Sequence, residues 1–183
     1  KMGFAIARAA REAGADVTLV AGPVHVTTPR GVQRVNVQSA QEMLAAVQRH
    51  VQAASVFIAT AAVADWRPDT QADQKIKKDG SGQTPALKFV ENPDILATVA
   101  QSTRAQSGAL FCVGFAAESH DLLTHATAKR IRKGVPLLVG NIGPATFGQD
   151  DNALLLVDDA GARELPHASK QALAEQLIAD IAR

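Results

Sequence analysis

Tyrosine is absent from the 183 residues, which excludes any chemistry built on a catalytic tyrosine. Cysteine occurs once, as Cys112, so no internal disulfide can form. That thiol lies in the apolar run Ala109 to Phe115 and is expected to be buried and inert. No apolar run reaches the roughly 20 residues that a membrane-spanning helix needs, and no signal-peptide pattern opens the chain. Neither sign of charge prevails: 19 Lys and Arg against 18 Asp and Glu leave a net charge of +1. There is thus no electrostatic footprint for nucleic acid or for an anionic membrane. Histidines 25, 50, 120, 125 and 167 stand at no metal-ligand spacing such as HExxH, and no CxxC occurs. The phosphate motif GxxxxGK[ST] is missing, and no complete GxGxxG follows a strand. A cytosolic home fits this pattern.

What remains is the length of one domain with a sizeable core and an alternation of helical and strand-like segments. The opening Lys1 to Gly14 is alanine-rich, with Phe4, Ile6, Ala7 and Ala10 on a candidate buried face. Strand candidates follow at Asp16–Val20 and Val32–Val37. Ser39 and Glu42 form a capping box before a helix over Ala40–Ala53. Ser55 to Ala61 reads as a buried parallel strand. Asn92-Pro93-Asp94 opens a helix, with Asn92 as its cap and Pro93 in the first turn. Leu110 to Phe115 is another buried strand, and Ser119 is a candidate cap for a helix from His120 to about Lys133. Pro136–Asn141 is a short strand and Gly143–Asp151 a loop. Ala153–Val157 and Ala162–Leu165 make a terminal hairpin, and Ser169 caps a last helix carrying Leu173, Leu177, Ile178 and Ile181 inward. The pattern predicts an α/β fold: a three-layer, Rossmann-like, doubly wound and mostly parallel sheet with a C-terminal β-hairpin.

One stretch stands apart. Small residues from Ala59 on are followed by Asp65-Trp66-Arg67-Pro68, and Trp66 to Thr84 reads as a polar loop that holds Lys75-Ile76-Lys77-Lys78 and gives way to a strand-like Ala86–Val90. Ligands bind at the carboxyl ends of strands in open α/β sheets, and a loop this long inside a compact domain is usually functional or mobile. A lysine run is equally compatible with a solvated face. Lys129 and Lys133, four apart on one helical face, are suited to a phosphate, though cations also suit a helix C-terminus. On the residues alone, a nucleotide-binding α/β domain and an ordinary strand-to-loop exit both stay open.

At these residues the chain resembles the bacterial phosphopantothenoylcysteine synthetase family. The motifs Ala61-Ala-Val-Ala-Asp65-Trp-Arg, Lys75-Ile-Lys-Lys78, Asn92-Pro-Asp-Ile95, Val113-Gly-Phe-Ala-Ala-Glu118 and Lys129-Arg-Ile-Arg-Lys133 occur in the family's order and spacing. The likeness extends to Lys1-Met-Gly and Asp151-Asn152. It implies a single nucleotide-binding synthetase domain over residues 1–183. That domain would be a ligase of coenzyme A biosynthesis that activates 4'-phosphopantothenate with CTP as an acyl-cytidylate, then transfers the acyl group to cysteine. Mg²⁺ would accompany the CTP.

By the same resemblance Lys75 is the catalytic lysine. Ala59, Thr60, Ala61, Asp65, Lys75, Pro93, Asp94, Ile95, Leu96, Phe115, Lys129 and Lys133 match nucleotide-contacting positions, and Ala62 matches one beside the phosphopantothenate. The Asp94 turn is expected to face the cytosine or ribose through backbone groups; metal ligands are not assigned. The family is dimeric with its site near the interface, and is commonly fused behind a flavin-dependent decarboxylase. Its pattern begins upstream of Lys1, with a strand and a Gly- and Asn-rich turn whose asparagine handles the acyl-cytidylate. That segment is therefore expected to precede residue 1. Two other functions share the architecture: a non-catalytic nucleotide-binding module, and an NAD(P)-dependent reductase. The reductase would need a dinucleotide fingerprint or, in its short-chain form, a tyrosine.

Overall fold

The computed structural model describes all residues except 71, 73, 78–81, 83–85, 119 and 143–149. Helix α1 (Met2–Glu12) leads to β1 (Thr18–Ala21), which pairs in parallel with β2 (Gln33–Asn36). Helix α2 (Ala40–His50) then feeds β3 (Val56–Ala59). A short antiparallel ribbon, β4 (Trp66–Pro68) and β5 (Phe89–Glu91), comes before α3 (Ile95–Ala100) and α4 (Thr103–Gln106). Strand β6 (Phe111–Glu118), α5 (Leu122–Lys133) and β7 (Leu137–Ile142) complete the parallel part. The chain closes with the hairpin β8 (Asp151–Asp158) and β9 (Gly161–Ser169) and with α6 (Lys170–Ile181).

The main sheet has the order β3-β6-β7-β8-β9. Its first two pairings are parallel and its last two antiparallel. Successive strand residues point to opposite faces, and the sequence uses both. Cys112 and Ala116 of β6, Leu138 of β7, and Leu155 and Val157 of β8 meet α2, α3 and α5 on one side. Val113, Leu137, Val139, Leu154 and Leu156 meet Ile6 and Ala9 of α1 and Leu173, Ala174 and Leu177 of α6 on the other. Two apolar sets in period 2, each with its own helices, make the expected three-layer α/β architecture. Strands β1 and β2 join through packing instead of a ladder. They hydrogen-bond to each other and not to the main sheet, while Val20 of β1 packs into the core that holds Val47 and Val51.

Local signals explain most boundaries. The Ser39 hydroxyl accepts from the Glu42 N–H at 3.1 Å, and the Glu42 carboxylate accepts from the Gln38 N–H at 2.9 Å. Ser169 caps α6 by accepting from the Ala172 N–H at 3.2 Å. Gly134, at φ 66°, ends α5 in the left-handed conformation. Cys112 is 1% exposed, and burial pushes its thiol pKa up to about 11, the inert state that its apolar run predicts.

Several boundaries differ from the sequence reading. Trp66–Pro68 is not loop but strand, paired with residues more than 20 positions on. The cap of α3 is Asp94 rather than Asn92: its carboxylate accepts from the Ala97 N–H at 2.9 Å. Asn92 is committed elsewhere, as described below. On α1 the buried residues are Ile6, Ala7 and Ala9, and Phe4 is half-buried with the Arg34 guanidinium over its ring at 5.3 Å. Helix α5 starts at Leu122 with Asp121 in the cap position; Ser119 lies outside the described residues. So do Lys78 of the lysine motif and most of the 143–151 segment.

Candidate functional site

The carboxyl end of β3 lies beside the middle of β6, with Ala59 opposite Gly114, and β6 runs on to Glu118. Thr60 follows directly, and the start of α1 comes up against it: a Cβ on Gly3 would stand 2.5 Å from the Thr60 hydroxyl oxygen. Only glycine permits this approach. Among the described residues no side chain caps that helix start, and the N–H groups at a helix start suit an anion. Ala61, Ala62 and Asp65 continue the strand exit as exposed residues.

This exit is stapled to the turn before α3. The Asn92 backbone N–H donates to the Asp65 carbonyl at 2.7 Å, and the Asn92 side-chain amide donates to the Ala64 carbonyl at 2.8 Å. Arg67 donates to the Glu91 carbonyl at 2.6 Å and to the Asn92 side-chain oxygen at 3.3 Å. Asn92 and Arg67 are thus organising residues that the sequence reading left unassigned or assigned to a cap. The ribbon β4–β5 carries Arg67 to this point.

Beyond the staple, Pro93 is half-buried and Ile95 is buried. Leu96 packs against β6. A Cβ at Gly114 would sit 2.7 Å from both the Leu96 Cδ2 and the Leu138 Cδ1, so the absence of a side chain at 114 is what lets α3 settle on β6. Phe115, one residue on, turns to the opposite face and packs with the α1 and α6 core.

Helix α5 closes the other side, seated on β7 where Gly140 leaves room for Leu122 and Ala126. Its Lys133 is ion-paired with the Asp94 carboxylate. Its Lys129 stands 4.0 Å from Glu118 at the end of β6. Both lysine side chains are largely covered, at 19% and 28% exposed. Burial raises the pKa of Asp94. The Ala97 N–H, the Lys133 ammonium and the Arg132 charge outweigh that effect and hold the carboxyl below its ordinary range. The Asp94 side chain thus serves the helix cap and Lys133.

The structure therefore brings together the strand exit at 59–65, the turn at 92–96, and Lys129 and Lys133, while the Phe115 side chain lies on the other face of the sheet. Lys75 stands apart: it is exposed between β4 and β5, and no hydrogen bond or ion pair with a described residue ties it to the others. Two open clefts elsewhere, one lined by Arg8, Arg11 and Arg30 and one by Asp150, Asp151 and His167, contain none of the expected site residues. Among the described residues no group of three or more His, Cys, Asp or Glu can hold a metal ion. Glu118 and His125, 3.8 Å apart, were not singled out from sequence. Glu118 was visible there only as the end of the Val113–Glu118 motif, and His125 only as one of five histidines at no metal-ligand spacing.

Small residues at a strand exit, with a helix start and two covered lysines nearby, mark an open-sheet α/β domain, the class that places ligands at the carboxyl ends of its strands. Comparison with known proteins then fixes the family. The family described as "DNA/pantothenate metabolism flavoprotein C-terminal domain" matches residues 1–183, and the chain belongs to it. The chain is 48% identical over 181 residues to the coenzyme A biosynthesis bifunctional protein CoaBC of Vibrio cholerae, covering 97% of this chain and 45% of that protein. Against the CoaBC of Escherichia coli K12 it is 45% identical over 185 residues, covering 99% and 45% respectively. The chain thus spans about half the length of these relatives. Among solved structures, the crystal structure of the C-terminal domain of CoaBC superposes with TM-score 0.79 at 32% identity, over 98% of this chain and 80% of that one. A Cab2 variant in complex with phosphopantothenate-cysteine shares the fold, with TM-score 0.77 at 15% identity, over 100% of this chain and 76% of that one.

Proposed function

We propose that this chain is a phosphopantothenate–cysteine ligase domain that uses CTP. The observation that carries the reading is the proximity of the 59–65 exit, the 92–96 turn, and Lys129 and Lys133, in a chain of this family. The CoaBC relatives are coenzyme A biosynthesis proteins.

In the first step the carboxylate of 4'-phosphopantothenate attacks the α-phosphorus of CTP. A new C–O–P bond forms, the bond to the β-phosphate oxygen breaks, and pyrophosphate leaves. In the second step the cysteine amine attacks the acyl carbon of the mixed anhydride. The amide forms, CMP leaves with the bonding pair, and the amine sheds its proton. Negative charge accumulates at the phosphates in the first step, so positioned cations carry much of the acceleration. Lys129 and Lys133 hold the phosphates once these displace Glu118 and Asp94. Lys75, itself exposed between β4 and β5, closes over the α-phosphorus and offsets its charge. Ala62 borders the phosphopantothenate, where a small residue leaves room for it. Mg²⁺ enters as the counter-ion of the triphosphate. The described side chains offer no three-ligand site of their own, so no step is assigned to it.

The protein acts as a homodimer. Trp66, Pro68 and Phe89 share one face of the β4–β5 ribbon. Trp66 is 61% and Phe89 54% exposed, an apolar surface beside the 59–65 exit that a second copy would cover. The remaining length of the relatives is the place for a fused flavin-dependent decarboxylase. No helix among the described residues is long and apolar enough to cross a membrane, and we place the enzyme in the cytoplasm.

The test is Lys75→Gln. The position is exposed, so the melting temperature should stay within about 2 °C of wild type, the effect of a surface change of a few tenths of a kcal/mol. Acyl-cytidylate formation, followed by mass spectrometry without cysteine, should fall at least about 100-fold, the scale of losing one charge-stabilising group. A variant that forms the intermediate at the wild-type rate would remove Lys75 from the reaction.

A further inference from the structure

Helix α5 carries a third basic residue in register with its two lysines. His125, Lys129 and Lys133 recur at every fourth position and so share one face. That face meets two carboxylates, Glu118 at the end of β6 and Asp94 at the start of α3. Glu118 stands between two of the three: one carboxylate oxygen lies 4.0 Å from the Lys129 ammonium and the other 3.8 Å from the His125 Nδ1. The His120 ring meets the His125 ring edge-on at 5.2 Å. Asp121 precedes the helix, and Asp94 faces its far end through Lys133.

We infer that His125 is a third, proton-dependent member of the phosphate-holding face of α5, tightening the grip on the nucleotide's triphosphate when its imidazole is protonated. The inference rests on the proposed reaction and concerns the regulation of that same site. An imidazole changes charge between about pH 5 and 8. Its protonated form adds positive charge to the stripe. It also draws on Glu118, the carboxylate that otherwise engages Lys129, and so frees that ammonium for phosphate. Both effects have the same sign. His125 is 42% exposed, so it can exchange its proton with solvent, and its substitution disturbs no core.

The test is the KM for CTP, from pyrophosphate release at saturating 4'-phosphopantothenate, in the full-length wild-type protein and in His125→Gln and His125→Lys. Protonation of the nucleotide is common to all three and cancels in ratios. The ratio of the His125→Gln KM to the wild-type KM should rise about fivefold from pH 8 to pH 6, as expected for one partly screened charge near a polyanion, with kcat little changed. His125→Lys should hold a low KM at both pH values. Normal turnover with a ratio that does not change with pH would overturn this inference and leave the reaction standing. No CTP-dependent turnover in any of the three would overturn both.

Discussion

Asp94 shows how one side chain couples stability to the site. It caps α3 through the Ala97 N–H and also pairs with Lys133. Its depressed pKa fixes the sign of its pH dependence. A carboxyl whose folded pKa lies below its unfolded one stabilises the protein fully above the unfolded value and loses that contribution as pH falls through the folded one. Asn also caps helices, so Asp94→Asn removes the charge and keeps the cap. Asp94 is 43% exposed, so the pair contributes only about 0–1 kcal/mol. Urea unfolding should show wild type ahead of Asp94→Asn by that margin at pH 7, with the gap closing as pH is lowered through the carboxylate range. A gap that widens on acidification would contradict the assignment. The capping role of Asp94 was not legible in sequence. Asn92-Pro93 is itself a good cap and first-turn pair, and only the tertiary claim on Asn92 by Ala64 and Arg67 moves the cap two residues on.

At the scale of elements, the sheet was legible wherever apolar runs were long enough to show a period. Leu110–Phe115 and Ala153–Val157 each mark a strand that the structure extends, and Pro136–Asn141 marks one that it shifts by a single position. Strand β5 was legible in the strand-like Ala86–Val90, whereas β4 was hidden because a three-residue strand carries no period and its pairing is set by a partner far along the chain. The seating of α3 depends on Gly114, where it meets β6. Gly114→Ala would press a methyl group against Leu96 and Leu138, and overpacking of this kind costs about 1–3 kcal/mol. Because Leu96 belongs to the expected nucleotide set, the KM for CTP should rise along with the loss of stability. Unchanged stability and KM would mean that α3 is not seated through this position.

At the scale of the whole molecule, two apolar faces build the scaffold, and the scaffold delivers the 59–65 exit, the 92–96 turn and the α5 lysines to one edge of the sheet. Residue types alone left that edge as either a nucleotide site or a solvated loop. The ordered motifs resolved it toward the synthetase family, and the family match over residues 1–183 agrees. The roles of single residues were least legible, because they depend on neighbours distant in sequence: Glu118 on Lys129, Arg67 on Asn92. The most direct test of the central claim is pyrophosphate release from the full-length protein with 4'-phosphopantothenate, Mg²⁺ and either CTP or ATP, without cysteine and then with it. The account predicts release with CTP and not with ATP, and CMP appearing when cysteine is added. Release with ATP alone would contradict the choice of nucleotide, and no release with either from folded protein would contradict the ligase itself.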